Sequence, residues 1–228
     1  MTLRAYNGTN GEDGDLTDDS RSPGLVIFEV SFLVAIIAVS VSGNLLVLAC
    51  LVVDRKLRTV SNMFVANLAV ADVYITGLLM PFVVTSVIVN EWIFGEPYCK
   101  IHGFIQTILY TGSFYTHAVI AVNRFCLIAY PSRYSTVFSR RNSIVILTVL
   151  WASCAAYAMP QVIAGRGVDV IYIAEIYNCL FDGSSNLTYL YVTAVLAYGL
   201  PTVVIIASYA GIYHTVRQAG RGWPLARR

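Results

Sequence analysis

The sequence predicts an all-α membrane protein in which five helices cross the bilayer and the N-terminus lies outside. Composition is the first observation. Hydrophobic residues make up 57% of the 228 and charged residues only 12%, half of the roughly 25% usual in soluble domains, and the mean hydropathy is +0.67. The second is the presence of five long apolar runs, residues 25–53, 63–89, 98–130, 143–163 and 187–213. Each meets the ~20 residues a bilayer crossing needs. The third is the distribution of the 15 Lys and Arg residues. Eleven fall on the side of the first and third loops and the C-terminal end, four on the other, and the richer side is cytoplasmic. Packing the runs as buried helices of a soluble protein would leave too little charge to coat a surface. A net charge of +2, with no basic block interleaved with aromatics, argues against nucleic acid as a partner.

Residues 1–24 form an acidic tail with Glu12, Asp13, Asp15, Asp18 and Asp19, expected to be extracellular and disordered. It lacks the apolar core of a signal peptide, so the first span is expected to act as an uncleaved signal. Glycosylation sequons begin at Asn7 and Asn186; Asn7 is the better acceptor, because Asn186 lies close to the membrane. The first span carries Glu29 near its outer end, within reach of the interface, and the loop after it holds Arg55, Lys56 and Arg58. The second span carries Asp72 near mid-bilayer, where a charge costs at least ~2.5–3.5 kcal/mol and marks a functional candidate. Asn44 and Ser113 lie at comparable depth. A polar cluster there would serve either as an ion-linked switch or as hydrogen-bonded glue between helices.

The third span begins at Cys99 and carries Arg124 near its end. The 25 residues between them rise roughly 37 Å as a helix, which sets one residue at each membrane surface. Cys50, Cys126 and Cys154 lie inside spans, whereas Cys99 and Cys179 face the oxidising side. A bridge between those two would close a loop of about 80 residues, worth roughly 4 kcal/mol in the chain-entropy model; two free thiols are the alternative. His117 is the odd residue of this span, either a proton-sensitive switch or, the preferred reading, a side chain satisfied by a neighbouring carbonyl. Pro81, Pro160 and Pro201 lie toward the outer halves of their spans. Bends there would widen a cavity between the helices or simply kink them. Residues 217–228 are expected to form a basic cytoplasmic tail.

An ordered series of motifs across all five spans resembles the rhodopsin-like (class A) G-protein-coupled receptors. It comprises Gly43-Asn44 in the first span and Asn67-Leu68-Ala69-Val70-Ala71-Asp72 with Pro81 in the second. Cys99 and Asn123-Arg124-Phe125 with Pro131 follow in the third, Trp151 and Pro160 in the fourth, and Pro201 with Tyr209 in the fifth. The resemblance implies that residues 25–216 are part of a seven-helix bundle in the plasma membrane. It implies coupling to a heterotrimeric G protein through Asn123, Arg124, Phe125 and Tyr209. It also implies a Cys99–Cys179 disulfide, and sodium as an allosteric effector held by Asn44, Asp72 and Ser113. By the residues alone, the alternative is a snorkelling arginine that only anchors the helix. Its neighbour Asn123 stands where the family usually has an acid and cannot hold the arginine by charge pairing.

The position where amine receptors carry an aspartate is Gln106, which disfavours monoamine ligands. Within the family the chain is most similar to melatonin receptors and their invertebrate orphan relatives, through Asn123-Arg124-Phe125-Cys126, Asn142-Ser143 and Ile176-Tyr177-Asn178-Cys179-Leu180-Phe181. The resemblance implies a pocket at Gln106, Thr107, Tyr110, Gln161, Phe181, Thr193 and Ala197. Phe181 matches the aromatic that stacks on the ligand ring. Gln161 stands for an asparagine, Ala197 for a histidine and Gly183 for a glutamine, so a neutral small molecule other than melatonin is the expected ligand.

No Walker A, HExxH or nucleophile-elbow pattern occurs, so no enzyme activity is expected, nor any structural metal or cofactor. The sixth and seventh spans of the family do not appear in these 228 residues. The expectation is a truncated isoform or an incomplete gene model that does not signal alone, with association with full-length receptors, and receptor dimers generally, as the alternative role.

Overall fold

In a computed structural model the described residues are 21–163, 168–184 and 186–221, the last with side chains to 219. The first span is α1, Pro23–Val53, whose proline at the first turn spends no hydrogen bond there. Asp54 ends it and caps the short 3-10 turn Arg55–Leu57 by accepting from Lys56 N at 2.8 Å. The second span is composite. It runs from α2, Val60–Tyr74, through a π-helical segment Ile75–Leu79 into α3, Met80–Val89. Thr59 caps its start, accepting from Asn62 N, and Asn90 stops it in the left-handed region at φ 63°.

The third span is α4, Glu96–Ala129, and the short α5, Pro131–Val137, follows it. The fourth is α6, Arg140–Ala158, capped by Ser139 and closed by a 3-10 turn Met159–Gln161. An antiparallel hairpin, β1 Val170–Ile173 and β2 Asn178–Phe181, covers the outer end with Tyr172 opposite Cys179. The fifth span is α7, Leu187–Val192, a π-helical segment Thr193–Gly199, and α8, Leu200–Arg221. The helix thus runs beyond residue 216, where the cytoplasmic tail was expected to begin, since no proline interrupts it there.

All three span prolines sit where the helix departs from α geometry. Pro81 and Pro201 follow the two π segments, and Pro160 lies in the 3-10 turn. A proline removes one N–H and its ring crowds the preceding turn, which these local rewindings absorb. The rewinding leaves carbonyls for other partners, and Leu196 O in the second π segment accepts the Tyr115 hydroxyl of α4 at 2.7 Å.

At the centre stands α4, packed against α2, α6, α8 and the hairpin. Four described helical stretches are long and apolar enough to cross a membrane by composition alone: Pro23–Val53, Val60–Val89, Arg140–Gln161 and Leu187–Ala219. The 34-residue α4 is long enough but less apolar, because its inward face buries Gln106, Thr111, Ser113, Thr116 and Asn123. Side chains such as Phe28, Val39 and Val203 are exposed instead, facing where hydrocarbon would lie. Small residues let the neighbours close on α4. A Cβ on Gly112 would sit 2.4 Å from the Trp151 ring, and one on Gly211 would sit 2.5 Å from Phe125.

Candidate ligand pocket and cytoplasmic switch

Cys99 and Cys179 are disulfide-bonded, with Cα atoms 5.4 Å apart. The bond ties β2 to the outer end of α4, and the hairpin lies so close that a Cβ on Gly103 would meet Val170 Cγ1 at 2.6 Å. Beneath it, the buried His102 bonds through Nε2 to Asn178 Oδ1 at 3.1 Å, and its ring contacts Phe82 and Trp92. Arg21 pairs with Glu29 and lies 4.6 Å over the Tyr177 ring, joining the first span to the outer loop. The apolar contacts of that loop push the Tyr172 phenol above its ordinary pKa, chiefly by desolvation.

Four of the expected pocket residues converge just inside this cap. Gln161 Nε2 donates to Thr107 Oγ1 at 3.0 Å and to the Tyr189 hydroxyl at 3.0 Å. Tyr189 stacks on Tyr157 with centroids 5.4 Å apart and takes the edge of Phe181 at 5.1 Å. Thr193 bonds to the Tyr157 hydroxyl and donates to Tyr189 O. Ala197 is buried one turn below Thr193. Gln106 is buried beside His102. Half-buried Tyr110 makes no hydrogen bond among the described residues. Sequence reasoning missed Tyr157 and Tyr189, which form the middle of this polar ladder. Their only signal was a hydroxyl-bearing aromatic on the inward faces of spans four and five. Gln161→Leu would leave Thr107 and Tyr189 without their shared donor. A loss of roughly 1–3 kcal/mol is expected, read as a lower unfolding temperature in detergent.

At mid-depth the three residues expected to hold sodium are not joined by direct hydrogen bonds. Asn44 Nδ2 donates to its own helix at Ser40 O, 2.9 Å away. The Ser113 hydroxyl is buried without a partner among the described residues. Asp72 is half-buried, and the titratable side chain that acts on it is His117. His117 Nδ1 lies 2.8 Å from Ser113 O, so the histidine is satisfied by a carbonyl of its own helix. Nearby, Trp151 Nε1 donates to Asn67 Oδ1 at 2.8 Å and Asn67 Nδ2 donates to Thr116 Oγ1 at 3.0 Å, linking spans two, three and four.

At the cytoplasmic end Arg124 is exposed, and its guanidinium reaches the Tyr209 hydroxyl at 3.4 Å, a long contact. Asn123 turns the other way. It is buried, accepts from Ser61 Oγ at 2.6 Å and donates to the Tyr134 hydroxyl at 3.1 Å, while Ser61 and Tyr134 are 3.0 Å apart. This ring ties α2, α4 and α5 together and leaves Arg124 unrestrained by its neighbour. Sequence reasoning named Asn123 and missed both partners. Asn123→Ala is expected to cost only about 1 kcal/mol, because Ser61 and Tyr134 keep each other. The check is thermal unfolding of the single variant against Asn123→Ala/Tyr134→Phe. Phe125 packs edge-on to Tyr130 at 5.7 Å and against Gly211. Of the two sequons, Asn7 lies outside the described residues, and Asn186 caps α7 by accepting from Tyr189 N at 2.9 Å.

Comparison with known proteins agrees with this architecture. The chain is 30% identical over 206 residues to zebrafish (Danio rerio) melatonin receptor type 1B-B, covering 90% of this chain and 58% of that protein. It is 31% identical over 189 residues to melatonin receptor type 1A of Phodopus sungorus, covering 83% and 53%. The chain therefore spans about half the length of the curated relatives it matches. The crystal structure of squid rhodopsin superposes with a TM-score of 0.77 at 24% identity, over 90% of this chain and 56% of that one. The profile of the 7 transmembrane receptor (rhodopsin family) matches residues 43–225. The chain belongs to the rhodopsin family of seven-transmembrane receptors, is related to the melatonin receptors, and is a membrane receptor rather than an enzyme.

Proposed function

We propose that the protein senses a neutral small extracellular ligand at the plasma membrane and couples to a heterotrimeric G protein through the cytoplasmic end of α4. The polar ladder carries the ligand half of this reading. Thr107, Gln161, Tyr189 and Thr193 offer amide and hydroxyl groups, with no charged side chain among them. Such a surface orients an uncharged ligand and gives an ammonium group nothing to pair with. The exposed Arg124, freed by the turning away of Asn123, supports the coupling half.

Two measurements test it. Membranes containing the chain are expected to retain an uncharged indole amide other than melatonin, with N-acetyltryptamine as the probe, more strongly than its protonated parent amine tryptamine, and Gln161→Leu is expected to weaken that retention. Preference for the amine would refute the ligand reading. A purified heterotrimer is expected to co-purify with the chain in nanodiscs and to be lost with Arg124→Ala; equal recovery from both would refute the coupling surface.

Sodium is the proposed effector at mid-depth. The Asp72 carboxylate has no hydrogen bond among the described residues and the Ser113 hydroxyl is orphaned, so both have oxygens to offer a small cation. The alternative role, association with full-length receptors, rests on the broad apolar surface exposed along α1 and α8. Co-precipitation with an intact relative would distinguish it.

A further inference from the structure

We propose that His102 is a positioning residue: through Nδ1 it holds the NH2 group of Gln106, so that Gln106 shows its carbonyl oxygen to the ligand pocket and selects a ligand that donates a hydrogen bond there. The inference rests on the ligand pocket proposed above and names the chemistry of one of its contacts.

The tautomer of His102 follows from its partners. Asn178 Oδ1 accepts from the Cys179 backbone N–H at 2.9 Å. A backbone N–H can only donate, so the amide end that meets it is the oxygen. His102 Nε2 lies 3.1 Å from the same oxygen and therefore carries the proton. In a neutral ring Nδ1 is then an acceptor. His102 is only 1% exposed, and its Nδ1 is buried with no hydrogen-bond partner of good geometry among the described residues. Phe82 has no donor to give it, and Trp92 Nε1 already donates to Gly95 O at 3.0 Å. A buried acceptor left unpaired in this way is costly.

Gln106 is the donor within reach. It follows one turn later on the same face of α4, is 2% exposed, and its amide acts on the imidazole. A rotation of that amide completes the bond, and only its NH2 end can do so, because the carbonyl would set lone pair against lone pair. Gln106 Oε1 is then directed away from the ring. Tyr110, the next residue down this face, has no hydrogen bond to it, so the oxygen is left as an acceptor for an N–H or O–H of the ligand. The second pocket glutamine is fixed differently. Gln161 spends its Nε2 on Thr107 and Tyr189, whereas Gln106 is oriented by a histidine that is itself oriented by the disulfide-tied hairpin.

The test has a ligand-free arm and a ligand arm, both on the chain in nanodiscs. With nitrogen-15-labelled histidine, the His102 resonances are identified by their loss in His102→Gln. They are expected to show Nε2 protonated and Nδ1 unprotonated, with the Nδ1 resonance moved by Gln106→Leu. A protonated Nδ1, or one indifferent to Gln106→Leu, would overturn the proposal. The ligand arm compares retention of N-acetyltryptamine with two analogues of the same shape in which oxygen replaces an N–H, the benzofuran for the indole and the ester for the amide. One of the two is expected to be held about tenfold more weakly, the worth of one hydrogen bond. In His102→Gln the new amide reaches Asn178 as Nε2 does and offers nothing at the place of Nδ1. That variant is expected to keep the unfolding temperature and to bring the tenfold ratio down to about one, because Gln106 can then turn either end to the ligand. A ratio unchanged in His102→Gln, or a parent chain that holds both oxygen analogues as tightly as N-acetyltryptamine, would also overturn it. Retention of none of the three probes would refute the pocket on which the donor rule rests, while the histidine resonances still decide the positioning.

Discussion

Replacing Cys99 and Cys179 together by alanine is expected to destabilise the outer half of the protein by roughly 4 kcal/mol, the chain-entropy value for a loop of about 80 residues. The bond is the covalent anchor of a cap otherwise held by non-covalent contacts, among them Val170 over Gly103, Trp92 and Tyr172 around the cystine, His102 bonded to Asn178, and Arg21 over Tyr177. Without it, the hairpin that carries Phe181 onto Tyr189 is held by non-covalent contacts alone. The expected signature is therefore double, a lowered unfolding temperature and weakened ligand retention. Reductant should reproduce both effects in the parent chain and add nothing in the double alanine variant. An unfolding temperature insensitive to reductant would show that the cap is held by packing alone.

Gly112→Ala is the second large effect. Its methyl group would sit 2.4–3.0 Å from three carbons of the Trp151 ring, on a helix packed against α2, α6, α8 and the hairpin. Overpacking of this kind costs about 1–3 kcal/mol. Displacing the indole also breaks its bond to Asn67, adding about 1 kcal/mol. A total near 3 kcal/mol is expected in the unfolding temperature. Trp151→Leu makes room for the methyl group, so the double variant should be more stable than the sum of the two single losses. Strict additivity in that cycle would mean that Gly112 and Trp151 are not coupled.

Both effects concern pairs whose members were visible in the sequence with different clarity. Cys99 and Cys179 could be matched by side of the membrane and by count. Trp151 stood out as a family motif, yet nothing in the local pattern around Gly112 indicated that an indole would lie across it. The same contrast holds at the two ends of α4. The inability of Asn123 to restrain Arg124 follows from its amide chemistry. Its actual partners, Ser61 and Tyr134, come from two other helices and carry no local signal. Gln161 and Thr193 were legible as neutral pocket groups, whereas Tyr157 and Tyr189, which join them, looked like ordinary span aromatics.

By itself the amino-acid sequence determined the membrane class, the sidedness, the spans and the outer cysteine pair. Those follow from apolar run length, cation placement, and the side and count of the cysteines. Only the tertiary structure decided which polar side chains meet: Asn123 with Ser61 and Tyr134, Gln161 with Tyr189, His117 with a carbonyl of its own helix rather than a distant partner. It also decided that the least apolar long helix is the one at the centre. Inside a bilayer a polar group finds no water, so its partner is set by how neighbouring helices rotate and approach, and that is a property of the packed bundle rather than of any one span.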